Sequence, residues 1–235
     1  MIKVVIFDFD DTLVDFYALE SKAEKALVNN FKDLTDLERF YKEYKKIRDK
    51  YQKKTLDPKG YSRKRWVKEI VEKLGLKIDQ NLIDKAVSDY WNTALRIQKV
   101  YPDAKPVLEK LKGRYKLVLV TDSDGEGGKI KSKRIKKSGL AKYFDLIVDS
   151  AHIGVNKPGR AVYDFILNSL KVKPKECLFV GDSCRTDIKG ANLVGMVSVR
   201  IKRGKWKEYK PKTKEERPDY TINNLEEVFD ILKSQ

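Results

Sequence analysis

The sequence predicts an α/β fold: a doubly wound, mainly parallel sheet interrupted early by a block of helices. Three observations carry this. From about residue 100 onward, short β-branched apolar runs alternate with helical patterns, the arrangement of a parallel sheet with helices on both faces. One further strand-like run, "IKVVIF" (2–7), stands apart at the start. Between the two lies a segment, 16–98, whose apolar residues recur at helical spacing.

"IKVVIF" is short, apolar and β-branched, as a buried strand requires. Helical patterns follow at 17–31, 36–53, 62–74 and 80–98, with breaks near Thr35, at "LDPKG" (56–60) and at "LGLKID" (74–79). Leu37, Phe40, Tyr41, Tyr44 and Ile47 make one stripe, and Ile83, Val87, Tyr90, Trp91 and Leu95 another. These amphipathic helices predict a small four-helix bundle with its aromatics in the core. After "YPDAKPVLEKLKG" comes the strand "YKLVLV" (115–120), then a helix over 129–140 closed by Gly139. "FDLIVD" (144–149), "CLFVG" (177–181) and "MVSVRI" (196–201) read as strands. Helices at 161–172 and in "DIKGANLVG" lie between them. A short strand by "RPDYTI" and the helix "LEEVFDILKS" close the chain. The lysine-rich stretch 202–214 reads as an exposed loop, and "GEGG" (125–128) as a flexible connection. The predicted organisation is a core of 1–15 and 99–235 with a helical unit of 16–98.

With 235 residues the chain can bury a real core. No apolar run approaches the roughly 18 residues of a membrane span. The opening residues read as a strand and not as a secretory signal. Two cysteines, Cys177 and Cys184, make no disulfide framework, so a reducing, cytoplasmic setting is expected. The net charge of +16 favours anionic partners. Charged residues make up 37% of the chain, with one His and two Met, which favours a thermostable, solvated surface over nucleic-acid binding.

In parallel sheets, sites lie at the carboxyl ends of strands. Asp8 and Asp10 follow the first strand, and Thr121, Asp122 and Ser123 follow "KLVLV". Lys157 lies in "NKPG", and Asp182 and Asp187 in "GDSCRTD" (181–187). Clustered carboxylates repel and resist desolvation. A divalent cation relieves them, and hard oxygen ligands suit Mg²⁺. A lysine offsets further negative charge, and a hydroxyl can hold a phosphoryl oxygen. Phosphoryl transfer needs positioning and charge neutralisation, and a carboxylate can serve as its nucleophile. Simpler readings exist: a turn for Asp8 and Asp10, a helix cap for Asp182 or Asp187, plain surface for Lys157. Asp11 and Asp15 read as loop or capping residues. Cys184 reads as a spacer, since the only histidine is His152.

Together these residues resemble the haloacid dehalogenase (HAD) superfamily in its phosphatase-like branch, over essentially the whole chain. "DFDDT" (8–12) looks like its Asp-x-Asp-x-Thr motif, Thr121 and Lys157 match the second and third motifs, and "GDSCRTD" matches Gly-Asp-x4-Asp. The resemblance implies a Rossmann-like core and an α-helical cap formed by the insertion. It implies Asp8 as nucleophile, held ionised by Mg²⁺ and Lys157, and Asp10 as general acid/base. Mg²⁺ would be bound by Asp8, the Asp10 carbonyl and Asp182, with Asp187 binding or orienting around it. Thr121 and Lys157 would contact the phosphoryl group. Asp122 stands where the family often has Asn, so its part in substrate binding is open. The implied activity is hydrolysis of a small phosphorylated metabolite such as a sugar phosphate, triose phosphate or nucleotide. A 2-haloacid dehalogenase or a phosphomutase is the alternative on the same fold, and a basic nucleic-acid binder using "KIKSKRIKK" (129–137) a more distant one. Dehalogenases generally lack the second aspartate of the first motif, so Asp10 and Asp182 weigh against that chemistry. Arg63, Lys64 and Arg65 in the insertion are expected on a solvated face.

Overall fold

In a computed structural model describing residues 1–52, 56–123 and 128–235, "VVIFD" forms the central strand β1 (Val4–Asp8), buried along its whole length. Among the described residues the sheet has six strands in the order β3-β2-β1-β4-β5-β6. They are β2 (Lys116–Thr121), β3 (Leu146–Asp149), β4 (Cys177–Gly181), β5 (Val197–Ile201) and β6 (Tyr220–Ile222). Every pairing between them is parallel. Alternate residues of β1 feed opposite faces, as period-two geometry requires. Val5 and Phe7 join the core under helices α5 (Ala104–Leu111), α6 (Gly128–Ser138) and α10 (Val228–Lys233). Val4 and Ile6 join the core under α8 (Arg160–Leu170) and α9 (Lys189–Val194). A short helix, α7 (Ser150–Ile153), follows β3.

The strand order reverses between β1 and β4, which is where open α/β sheets form a crevice. The register levels the strand ends there: Asp8 lies beside Val120, and Phe7 beside Val180. Chain leaving β1, β2 and β4 therefore arrives at one place.

Four helices lie between β1 and α5: α1 (Tyr17–Val28), α2 (Leu37–Gln52), α3 (Arg63–Leu74) and α4 (Gln80–Ile97). The breaks have local causes. Gly75 ends α3 with φ of 66°, a conformation that costs a β-carbon residue about 1 kcal/mol or more. Ser62 and Asp79 cap α3 and α4 by accepting from Arg65 N and Leu82 N. The four helices share their own apolar core. Phe31 stacks on Phe40 at 4.3 Å, and Tyr44 meets Trp66 edge-on at 5.8 Å. Trp66 also donates to Gly60 O at 2.9 Å. Trp66→Ala removes both the packing and that bond, and should lower the unfolding free energy by about 3–5 kcal/mol, read as a shift of the urea midpoint. A loss under about 1 kcal/mol would show that this core is dispensable.

Both connections of the helical block run side by side next to β1. Asp15 N donates to Lys99 O and Tyr101 N to Leu13 O, each at 3.0 Å. Of the stretch 202–214, residues 207–214 form the largely exposed loop expected, but 202–206 are only half-exposed. Its first residues follow β5 to the same end of the sheet, a placement that a run of lysines does not encode. Gly204, at φ 63°, lies so close to Asp11 that a Cβ there would sit 2.3 Å from the Asp11 Cβ. Lys205 reaches across to the Gln52 side chain at 2.9 Å. Arg203 pairs with Asp103 at 2.9 Å and stacks over Tyr101. The connection at 125–127 lies outside the described residues, and Gly128 opens α6. Among the described residues no helix is long and apolar enough to cross a membrane.

Candidate active site

After β1 the chain turns back on itself. Leu13 N and Val14 N both donate to Phe9 O, and Asp11 N donates to Val14 O. Asp11 takes a positive φ of 58°. Its carboxylate accepts from Phe16 N and Tyr17 N, while Asp15 accepts from Ala18 N. Both are thus capping residues at the start of α1. The turn leaves Asp8 and Asp10 at the crevice.

"GDSCRTD" supplies the opposite wall. Cys184–Ile188 forms one π-helical turn, a local widening often found at functional sites. It brings Asp187 back under the end of β4, where a Cβ on Gly181 would lie 2.4 Å from Asp187 Oδ2. Only glycine leaves that space. Asp187 accepts from Ser183 N at 3.0 Å from within the turn and is not the N-cap of α9. Cys184 is buried in the same turn.

Carboxylate oxygens of Asp8, Asp182 and Asp187, all buried, lie within 4.8 Å of one another. Lys157 Nζ donates to Asp8 Oδ1 at 2.5 Å and to Asp187 Oδ1 at 2.7 Å. One ammonium cannot balance three carboxylates. Burial pushes Asp8 up to about 7, against the pull of Lys157 and with added repulsion from Asp187. Burial and Asp187 also hold Asp182 well above the usual carboxylate range. The Lys157 ammonium is held well above its ordinary value, because Asp187 and Asp8 outweigh its own burial. Lys157 alone therefore does not hold the Asp8 carboxyl down, which leaves that work to the cation expected beside it. The site wants more positive charge. Among the described residues Asp182 Oδ2 is buried without a hydrogen-bond partner, and the donors are all oxygen, so the residues fit a hard divalent cation such as Mg²⁺.

Thr121 ends β2 and is buried in the same cavity. Asp122 accepts from Lys157 N at 3.1 Å. Burial raises its carboxyl despite Lys157. Asp122 thus braces the lysine's main chain. All the residues singled out by sequence (Asp8, Asp10, Thr121, Asp122, Lys157, Asp182 and Asp187) line one cavity of about 180 Å³.

Other lining residues escaped the sequence reading. Asp10 is gripped by Arg134, whose two terminal nitrogens donate to Oδ2 at 3.0 Å and Oδ1 at 2.5 Å. Lys131 adds a third bond at 2.6 Å. Burial alone would raise the Asp10 carboxyl, but these two cations outweigh it and hold it below the ordinary range. Two basic residues of "KIKSKRIKK" thus point inward. The signal was present: Lys131, Arg134, Ile135 and Ser138 share one helical face, and all four are buried. Arg63 likewise overturns the solvated-face expectation. It is 7% exposed, its guanidinium 4.4 Å from the ring centroids of both Tyr90 and Trp91, and it donates to Tyr90 Oη at 2.9 Å. Lys64 and Arg65 do face outward, pairing with Asp84 and Asp57. Lys205 and Trp206 reach the cavity from the loop after β5.

The class is that of hydrolases built on a parallel sheet with their site at its switch point. The chain belongs to the haloacid dehalogenase-like hydrolases, whose family model matches residues 2–195. It is similar to the glyceraldehyde 3-phosphate phosphatase of Methanopyrus kandleri, at 33% identity over 99% of this chain and 98% of that one. A HAD hydrolase from Bacillus subtilis, solved bound to magnesium, shares the fold with a TM-score of 0.76 at 24% identity, covering 98% of both chains. The 2-haloacid dehalogenase of Pseudomonas syringae does so with a TM-score of 0.74 at 26% identity, over 100% of this chain and 99% of that one. One fold carries both chemistries, so the site has to choose between them.

Proposed function

We propose that the chain is a Mg²⁺-dependent phosphatase that hydrolyses small phosphate monoesters through an aspartyl-phosphate on Asp8. The observation that carries this is the buried cluster of Asp8, Asp182 and Asp187 around Lys157 Nζ. Asp8 attacks phosphorus, the bond from phosphorus to the ester oxygen breaks, and the phosphoryl group passes to the carboxylate. Asp10, once protonated from solvent, gives that proton to the departing oxygen, then takes one from the water that cleaves the acyl phosphate. Its ionised form, as held by Arg134 and Lys131, is the one that can accept that proton. Lys157 and the Thr121 hydroxyl hold phosphoryl oxygens, and Asp122 fixes the lysine. Asp8, Asp182 and the Asp10 carbonyl would hold Mg²⁺, with Asp187 orienting around it. When bound, the cation neutralises charge on the carboxylates and on the phosphoryl group.

Dehalogenation fits less well. A halide leaves without a proton, which removes the acid half of the work given to Asp10, and it needs no cation beside three carboxylates. Residues 16–98 act as a cap over a core of 1–15 and 99–235, since Gln52, Tyr61, Arg63 and Trp91 line the cavity from the insertion. About 180 Å³ is below the roughly 300–1,000 Å³ of a site for drug-sized ligands. A three-carbon ester suits that size, in keeping with the name of the Methanopyrus relative, and a polymer such as nucleic acid does not. Two buried, free cysteines suit a reducing cytoplasm.

The test is a panel of phosphate esters, including triose phosphates and an aryl phosphate, with Mg²⁺ and the purified protein. Release of inorganic phosphate is expected, fastest for the smallest esters. Halide release from a 2-haloacid without phosphatase activity would overturn the proposal, and so would an isomeric phosphate ester as the sole product, which marks a mutase.

A further inference from the structure

We infer that Arg134 is a positioning residue that ties the Asp10 carboxylate to both chain connections of the helical block. The inference rests on the phosphatase reading for the role of Asp10, but its geometry stands alone. Arg134 is fully buried. Its Nη atoms hold both oxygens of Asp10. Its Nε donates to Gln98 Oε1 at 2.9 Å, and Gln98 Nε2 donates back to Arg134 O at 3.0 Å. The guanidinium also lies 4.6 Å from the Phe16 ring centroid and 5.3 Å from that of Phe9. Phe16 immediately precedes α1 and Gln98 immediately follows α4, so the two ends of the insertion meet at one side chain. That side chain comes from neither of them; it belongs to α6.

A buried guanidinium is costly unless carboxylate and amide partners satisfy it, and here they do. Its planar fork fixes the plane of the carboxylate it binds, which a lysine cannot do. Any rotation of the helical block about its connections shifts Phe16 and Gln98 against Arg134, and so bears on Asp10. Lys131 supplies charge to the same carboxylate from one turn earlier on α6, whereas Arg134 also joins it to the connections. The device places the proton-transferring group according to where the block sits. A misplacement of about 1 Å in such a group can cost roughly 10²-fold in rate.

The test compares kcat and KM for an aryl phosphate, whose leaving group needs little protonation, and for an alkyl phosphate, whose leaving group needs it. Three variants are used with Mg²⁺: Arg134→Met, Arg134→Lys and Gln98→Ala. For Arg134→Met, kcat on the alkyl ester should fall by roughly 10–10²-fold, with KM nearly constant and a smaller loss on the aryl ester. Arg134→Lys should recover part of that loss. Gln98→Ala should show a weaker loss with the same bias toward the alkyl ester. Equal losses on both esters, or full alkyl activity in Arg134→Met, would overturn the inference. Wild-type protein inactive on both esters would instead overturn the phosphatase reading. A readout free of catalysis then decides the inference: the thermal midpoints of Asp10→Asn, Gln98→Ala and the double variant. Coupling through Arg134 requires their shifts to be non-additive, and additive shifts would refute it.

Discussion

Asp8→Asn should accept no phosphoryl group and lose turnover by a factor on the order of 10⁶, as nucleophile deletions do in other hydrolases. The amide is nearly isosteric, but its lone pairs are delocalised and it carries no charge. Lys157 keeps its bond to Asp187 at 2.7 Å, so the buried ammonium is not stranded and the fold should survive. Asp10→Asn separates the two carboxylates of the opening motif. It keeps the nucleophile, and an activated aryl phosphate should still load Asp8. The aspartyl-phosphate should then persist, with hydrolysis slowed by roughly 10²–10⁴-fold, the usual worth of general acid/base help. Intact-mass spectrometry after an acid quench reads both variants. A phosphoryl group found on another residue of Asp8→Asn would refute the nucleophile, and undiminished alkyl phosphatase activity in Asp10→Asn would refute the acid/base.

Removing the cation should be the second large effect. Chelation should abolish turnover and Mg²⁺ should restore it. The pH dependence follows from burial. Asp8 sits at about 7 in the metal-free fold, against about 4 for an exposed aspartate. Its folded value is the raised one, so its contribution to metal-free stability is fully present below pH ~4 and is lost as pH rises through 7. Asp182 and Asp187 are raised in the same direction. Mg²⁺ needs the ionised carboxylates and binds more tightly as pH rises, releasing protons. The gain in thermal midpoint from Mg²⁺ over chelator should therefore grow between pH 6 and 8, reaching the equivalent of about 2.7 kcal/mol at a hundredfold excess over Kd. Thermal scans across that range check it. Full activity in chelator, or a gain independent of pH, would remove the cation from the site.

Much of this architecture is local in its coding. The four insertion helices follow their apolar stripes; α3 and α4 start at the caps Ser62 and Asp79, and α3 stops at Gly75. The motif carboxylates are legible because charge ending a buried strand is costly, and strand ends in parallel sheets converge. Asp11 and Asp15 are capping residues for equally local reasons.

Other features were only faintly legible. Arg63, Lys131 and Arg134 read as solvated charge, because a basic residue in a highly charged chain is usually exposed. Each becomes a buried residue only through partners distant in sequence: Tyr90 for Arg63, and Asp10, more than a hundred positions away, for the other two.

The sequence by itself determined the alternation of strands and helices, the position of the insertion, and the identity of the carboxylates at the strand ends. Periodicity and strand-end chemistry act over a few residues, so neighbours along the chain suffice to specify them. Only the tertiary structure decided which cations face those carboxylates, that Asp8 is pushed up and Asp10 held down, and that the loop after β5 closes part of the cavity. Those outcomes depend on desolvation and on charges a few ångströms apart, and both exist only once the chain has folded.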